Sequence, residues 1–430
     1  MSSLASKSLA FVVAALLSPA FSQPVGPGLG GLGPGLAVPG AQLKTGCGVA
    51  DFTQDNWNTN DLDDFILGIP QFGQQAGFPR NVLAANSING DPTFDCTDFS
   101  RPGSCSIPGP FPDGSTVCSS FNDLRFGFVA QAYENIYNNL RNMFNGIKDA
   151  HDQVNSEGYI GTMLHDISPQ PLPVSRDNLL KIQELALNFI PVPEAGAELN
   201  FIRKILKKFT KLAKKTVKKA QKDSAMEAET LAEQPEIMQG LLDSVVPTVQ
   251  SAVMDQLNSI FVNGVTDDSN VQVLLGGAHL NPVMSQSDYA SAMAQNIRAY
   301  LLSMAMSKIG MTLVVDNIVS TCANNDPEDF LSPDGAVCQR FRLPEDEGTT
   351  VTLTSGDHPN AMGDIQNRFG FKLQDIALNA EACKEAGKTF ADVDFDAFLD
   401  SDTPGVFPDC LFGIHVNAEK ITPFGEPLKL

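Results

Sequence analysis

The amino-acid sequence predicts a mainly α fold: a helical, bundle-like body with disulfide-stabilised irregular N- and C-terminal regions and little β. Three observations predict it. Apolar residues recur at threes and fours in long stretches between residues 121 and 308, the spacing of a single helix face. Eight cysteines gather towards the two ends, with none between Cys118 and Cys322. Strand-like patterning is sparse, and its best example is Gly348–Thr354. A hydrophobic content of 43% is ample for a core, which excludes broad disorder.

Residues 1–22 read as a secretory signal peptide: Lys7, an apolar run from Leu9 to Leu17, then small residues up to Ser22. Residues 23–46 are a Gly/Pro-rich leader that can build neither a helix nor a sheet interior, and is expected to be mobile. Its GxGxxG spacing at Gly26–Gly31 has no strand before it and no helix after it, so it does not read as a dinucleotide site. Residues 47–172 form a cysteine-stapled region, turn-rich to about Pro112, with a short helix at Asp61–Leu67. Within it, Phe121, Leu124, Phe128, Ala132, Ile136, Leu140, Phe144 and Ile147 predict a long helix over 121–154. Pro169, Pro171 and Pro173 then break the chain.

Residues 173–321 form a helical region. A helix over Ser175–Phe189, capped by Ser175, leads into the apolar Pro-containing turn Ile190–Gly196 and a basic helix, together a hairpin. Gln221–Ala232 continues helical but turns acidic. Ile237 to Phe261 is amphipathic, with Pro247 expected to kink it. A loop over 267–282 precedes a helix at Ser287–Lys308, which Met311–Cys322 extends or follows. Residues 322–430 form an acidic, cysteine-containing region with a helix from Phe369 to Ala386, ended by Gly387.

Cysteines in an exported protein should pair. The wide gap between the two groups favours pairing inside each one. The expected bridges are Cys47–Cys118, Cys96–Cys105, Cys322–Cys338 and Cys383–Cys410. No CxxC or paired His spacing supports a metal site.

The strongest signal in the chain is electrostatic. Arg203, Lys204, Lys207, Lys208, Lys211, Lys214, Lys215, Lys218, Lys219 and Lys222 fall within twenty residues, uninterrupted by any acid, in a protein of net charge -21. Ile202, Leu206, Phe209, Ala213 and Ala220 lie between them at helical spacing. The segment therefore reads as a helix with one apolar and one cationic face, suited to an anionic membrane or a polyanionic cell surface. The flanks point the other way. Residues 47–172 carry 15 acids against 5 bases, and residues 323–430 carry 20 against 8. Such flanks repel phosphate, so nucleic acid is not an expected partner. The same acids could instead neutralise the basic helix within the molecule.

Motifs of catalysis are absent or broken. Ala382–Thr389 fits a relaxed phosphate-loop pattern, but a helix precedes it where a strand should, and Gly387 reads as a helix C-cap. Asp392, Asp394 and Asp396 begin like a calcium loop, yet Ala397 stands where glycine is needed and Thr403 where a glutamate should close it. Five histidines occur, with His165–Asp166 and Asp357–His358 as adjacent pairs, and neither GxSxG nor HExxH is present. No cofactor is expected. A glycosidase-type carboxylate pair stays open, although Trp57 is the single tryptophan available as a sugar platform.

The N-terminal part resembles an uncharacterised domain family of fungal secreted proteins. The resemblance rests on Gly46-Cys47, Thr53–Trp57, Asp61–Phe65, Phe94-Asp-Cys96 followed by Cys105 and Cys118, and the helix over 121–154. It covers about residues 45–330. It implies secretion and a helical fold, and brings no activity or catalytic residue with it.

The expectation is thus a secreted, extracellular effector- or toxin-like protein that meets an anionic membrane or cell surface through its cationic helix. One alternative is a non-catalytic binding or structural protein whose basic helix is neutralised internally. A second is an extracellular carboxylate-dependent hydrolase.

Overall fold

A helix of 32 residues, Arg125–Ser156, organises the computed structural model of this chain. The structure describes residues 43–69, 78–88, 95–100, 105–106, 117–156, 159, 172–175, 229–232, 235–262, 274–280, 283–308, 311–316, 330–331, 337–342, 350–354, 361–388, 410–412 and 414–417. All fall within one compact unit spanning Pro39–Leu430. They are mostly helical, as the apolar periodicity requires. No helix among them is long and apolar enough to cross a membrane.

The chain opens with three short helices: α1 Gln54–Thr59, α2 Leu62–Gly68 and α3 Phe78–Asn86. Thr53 caps α1 by accepting the Asn56 N–H at 3.2 Å. Then come α4 Arg125–Ser156, α5 Pro235–Phe261 and α6 Gln286–Lys308, and later α7 Ala361–Asn367 and α8 Leu373–Glu385. α4 packs against both α5 and α6. It buries Phe128, Val129, Ala132, Ile136, Leu140, Ile147 and Val154, much of the stripe read from the sequence. α5 answers with Val249, Val253 and Leu257, and α6 with Tyr289, Met293, Ile297 and Tyr300. Burying a side chain of this size is worth about 1.5–3 kcal/mol, so this three-helix contact dominates the apolar burial.

Aromatic pairs close the edges of the core. Phe52 meets Phe128 edge-on at 4.9 Å between ring centroids, Phe65 meets Phe126 at 5.1 Å, and Tyr133 meets Phe261 at 5.7 Å. At the start of α4, the buried Asp123 carboxylate accepts the Arg125 backbone N–H at 3.0 Å and its guanidinium Nη2–H at 2.6 Å. The guanidinium also lies 3.8 Å from the centroid of Phe65. Three bridges follow the expected pairing: Cys47–Cys118, Cys96–Cys105 and Cys383–Cys410, with Cα separations of 5.9, 4.5 and 4.7 Å. Cys322, and with it the fourth expected pair, lies outside the described residues.

Several boundaries differ from the sequence reading. Ser175 ends a strand, β1 Leu172–Ser175, instead of opening a helix there, and Glu229–Ala232 is strand β2 instead of a helical continuation. The two pair antiparallel. Residues 312–316 form β3 Thr312–Asp316 and do not extend α6, because Thr, Val and Val gain ladder partners in the C-terminal part. There β4 Phe330–Leu331, β5 Val337–Arg342, β6 Thr350–Thr354 and β7 His415–Asn417 join β3 in the order β4-β5-β6-β3-β7. β3 and β7 run parallel and the other neighbours antiparallel. α8 covers this sheet. The helix read over Phe369–Ala386 begins only at Leu373, after Gly370 at φ 72°. Its end matches expectation. Gly387 sits at φ 65°, its N–H donates to the Lys384 carbonyl at 2.8 Å, and Lys388 N–H donates to the Cys383 carbonyl at 3.0 Å. This is the paired C-terminal cap that glycine permits, and it removes the phosphate-loop reading.

Gly277 marks the tightest approach between distant parts of the body. It has φ 65°, and a Cβ there would lie 2.5 Å from Cγ of the fully buried Trp57. Trp57 is held by its indole N–H donating to Asp63 Oδ1 at 2.7 Å, and the same oxygen accepts the Gly276 N–H at 2.8 Å. Gly277→Ala therefore loses about 2–4 kcal/mol of stability in urea denaturation, from backbone strain and displacement of Trp57. Gly68→Ala, where a Cβ meets nothing within 4 Å, stays within about 0.5 kcal/mol of the parent or above it.

Candidate functional site

All ten cations from Arg203 to Lys222, and the apolar stripe between them, lie outside the described residues. What the structure does describe is how that segment is attached. β1 and β2 pair in the register Leu172↔Ala232, Pro173↔Leu231, Val174↔Thr230 and Ser175↔Glu229. Paired strands lie about 4.8 Å apart. The two ends that flank residues 176–228 are therefore neighbours. β1 packs against α6 and β2 against α5, so both roots of the segment stand on the central helices.

A second feature is an acidic cleft of about 540 Å³ between α4 and α6, lined by Asp149, Asp152, Gln153, Gln286, Ser287 and Ala290. The three-residue spacing of Asp149 and Asp152 puts both carboxylates on one face of α4. Gln286 at the first turn of α6 donates its amide to Asp149. Lys148 Nζ donates to Asp152 at 2.9 Å, and its ammonium, first, with His151 behind it, holds the Asp152 carboxyl below the usual carboxylate range. Next to the cleft, the His151 ring lies between Asp152, at 3.3 Å from Nδ1, and Asp243 of α5, at 2.6 Å from Nε2. Through Asp243 the ring links α4 to α5.

Two carboxylates on one helix face give this cleft a negative charge. A general acid of the glycosidase type needs one carboxyl displaced upward by burial. Asp152 is displaced downward and is exposed. A carboxyl that is displaced upward by burial, Asp255, sits on α5 and does not line the cleft. Among the described residues, no group of three or more His, Cys, Asp or Glu side chains has the arrangement of a metal site. The calcium-like run from Asp392 to Asp402, and the pairs His165–Asp166 and Asp357–His358, lie outside the described residues.

The sequence reading passed over His279. It is buried beside α4, on the 3-10 turn Leu275–Leu280, and its carbonyl accepts the Asn135 side-chain N–H at 2.6 Å. Nothing local announces this, since the burial comes from α4 and α1 closing over a turn read as loop. Burial pushes the imidazole down to about 3, so it is neutral at physiological pH.

Among family models, curated proteins and solved structures, none matches this chain.

The His279 position makes stability depend on acid. Its folded value lies below the unfolded one of about 6.5, so the unfolded chain binds the extra proton. The contribution is complete above about pH 6.5 and is lost as pH falls towards 3, at up to about 1.4 kcal/mol per pH unit. Thermal unfolding followed from pH 7 to pH 4 shows a decline in Tm that is shallower in His279→Leu. Equal slopes in the two proteins would refute the assignment.

Proposed function

We propose that this is a secreted effector- or toxin-like protein that acts by contact with an anionic membrane or cell surface through the cationic segment Arg203–Lys222. One observation carries the reading: ten Lys and Arg side chains in twenty residues without an acid, in a chain of net charge -21. Such segregation concentrates positive charge in one short stretch, where a polyanion can engage many cations together. Near an anionic leaflet each cation contributes about 1 kcal/mol, so several engaged together exceed a modest desolvation cost. The interspersed Ile202, Leu206 and Phe209 add apolar area that can enter the headgroup boundary.

The attachment of the segment supports the same reading. Its two flanking strands, β1 and β2, are paired and pack on the long helices, which fixes where the segment joins the body. Export is consistent with the signal-like residues 1–22 and with three disulfides, which persist in oxidising compartments. The resemblance of residues 45–330 to fungal secreted proteins agrees with export and assigns no chemistry.

A second reading is favoured by the acidic cleft at Asp149 and Asp152 and by Asp243 beside it. Here the basic segment is neutralised by the body's own carboxylates and its role is structural.

Vesicle co-sedimentation separates the two. The protein binds phosphatidylserine vesicles and leaves phosphatidylcholine vesicles unbound, and binding weakens at least tenfold between about 50 and 500 mM salt as the Debye length shrinks. Replacing Lys207, Lys211, Lys214 and Lys218 with Glu abolishes binding and leakage. Absence of binding at low salt leaves the internal, structural reading.

A further inference from the structure

The three described bridges differ in how far their cysteines meet solvent. Cys96 and Cys105 are 3% and 2% exposed, Cys383 and Cys410 are 5% and 0%, and Cys118 is 0%. Cys47 alone among these six is only half-buried. Its partner is enclosed: Cys118 sits on the 3-10 turn Val117–Ser120, which packs on α4, and its sulfur lies against Gly127, where a Cβ would collide with it. Thiol–disulfide exchange requires a thiolate to reach one sulfur and expel the other, so Cys47–Cys118 is open to attack from one side and the other two bridges from neither.

What the bridge holds is equally specific. Among the described residues, the other ties of the stretch before α1 are local. Lys44 N–H donates to Asn60 Oδ1 at 2.7 Å, the Asn60 amide donates to Thr45 Oγ1 at 2.6 Å, and the Lys44 ammonium pairs with Asp61. From Phe52 onward the chain is held by packing instead: Phe52 lies against Phe128, and Trp57 is fully buried. We infer that Cys47–Cys118 is a redox-sensitive latch, closed in an oxidising compartment and opened in a reducing one, that fastens residues 43–48 to the start of α4. A dithiol supplies the two electrons and two protons. Its first thiolate attacks the Cys47 sulfur and expels Cys118, which takes up a proton. Its second thiol then displaces Cys47, leaving the dithiol as a cyclic disulfide and both cysteines reduced. Opening releases residues 43–48, while α1 and α2 stay docked through Phe52–Phe128 and Phe65–Phe126.

The test treats the oxidised full chain with dithiothreitol without denaturant, traps free thiols with iodoacetamide, and reads the modified cysteines by peptide mass mapping. Cys47 is expected to be alkylated at least about tenfold faster than Cys96, Cys105, Cys383 or Cys410. Another of these bridges opening first, or all three opening together, overturns the latch. In the protein with Cys47 alkylated, trypsin should cut after Lys44 about tenfold faster than in the oxidised parent, with the helical circular dichroism unchanged. An unchanged cleavage rate, or loss of the helical signal, overturns the release of residues 43–48. The double variant Cys47→Ser/Cys118→Ala should show the fast cleavage without reductant and should not respond to it. If that variant does not fold, the reduced and alkylated parent carries the same comparison.

Discussion

Arg125–Ser156 is apolar over so much of its circumference that it must be covered from more than one side, and this requirement shapes the rest of the body. Phe128, Ile136 and Ile147 cannot be satisfied by one neighbouring helix, so Pro235–Phe261 and Gln286–Lys308 both pack on it. Close approach is possible because Gly146 carries no side chain where it faces Tyr289, a Cβ there coming within 2.8 Å of the Tyr289 Cβ. The buried Asp123 carboxylate, paired with the partly exposed Arg125, marks where the helix begins, and Cys47–Cys118 holds the preceding chain against it. Leaving the Asp123 carboxylate without its Arg125 partner would cost several kcal/mol, which gives the helix a sharply defined start.

The same central helix positions the acidic cleft and the neighbours on which β1 and β2 pack. Its C-terminal half contributes Asp149, His151 and Asp152, and the helices packed on it contribute Gln286 and Asp243. The roots of the cationic segment stand on those two neighbouring helices. The acidic cleft and the strands that flank residues 176–228 thus share one scaffold. Attraction of the kind this acidic cleft offers is strongly screened at exposed sites. A polyanionic surface presents many charges to the basic face at once, and that multiplicity is the physical advantage of outward use.

Part of this was legible residue by residue. The stripe from Phe121 to Ile147 named the long helix, although its first turn starts at Arg125 because Asp123 and Leu124 form the cap region instead. Short loop closure made Cys96–Cys105 a natural bridge, and the Gly387 cap followed from a glycine just past an apolar period. The Asp149–Gln286 cleft was not legible, because its lining comes from helices far apart in sequence and none of its residues is unusual alone. His279 and Trp57 were unreadable as partners of the core for the same reason. A loop-like run of glycines gives no sign that Gly277 lies against an indole.

The helical class, the grouping of the disulfides and the segregation of charge onto Arg203–Lys222 are legible along the chain, since all three are written in spacings of a few residues or in counts. It took the folded molecule to reveal that Ser175 and Glu229 are ladder partners, that residues 312–316 are strand, and that Asp149 meets Gln286 and His151 meets Asp243. Strand pairing draws its stability from a partner remote in the chain, so the same few residues read as helix until that partner is known. Helical periodicity needs no such partner, and for that reason the three long helices Arg125–Ser156, Pro235–Phe261 and Gln286–Lys308 were readable.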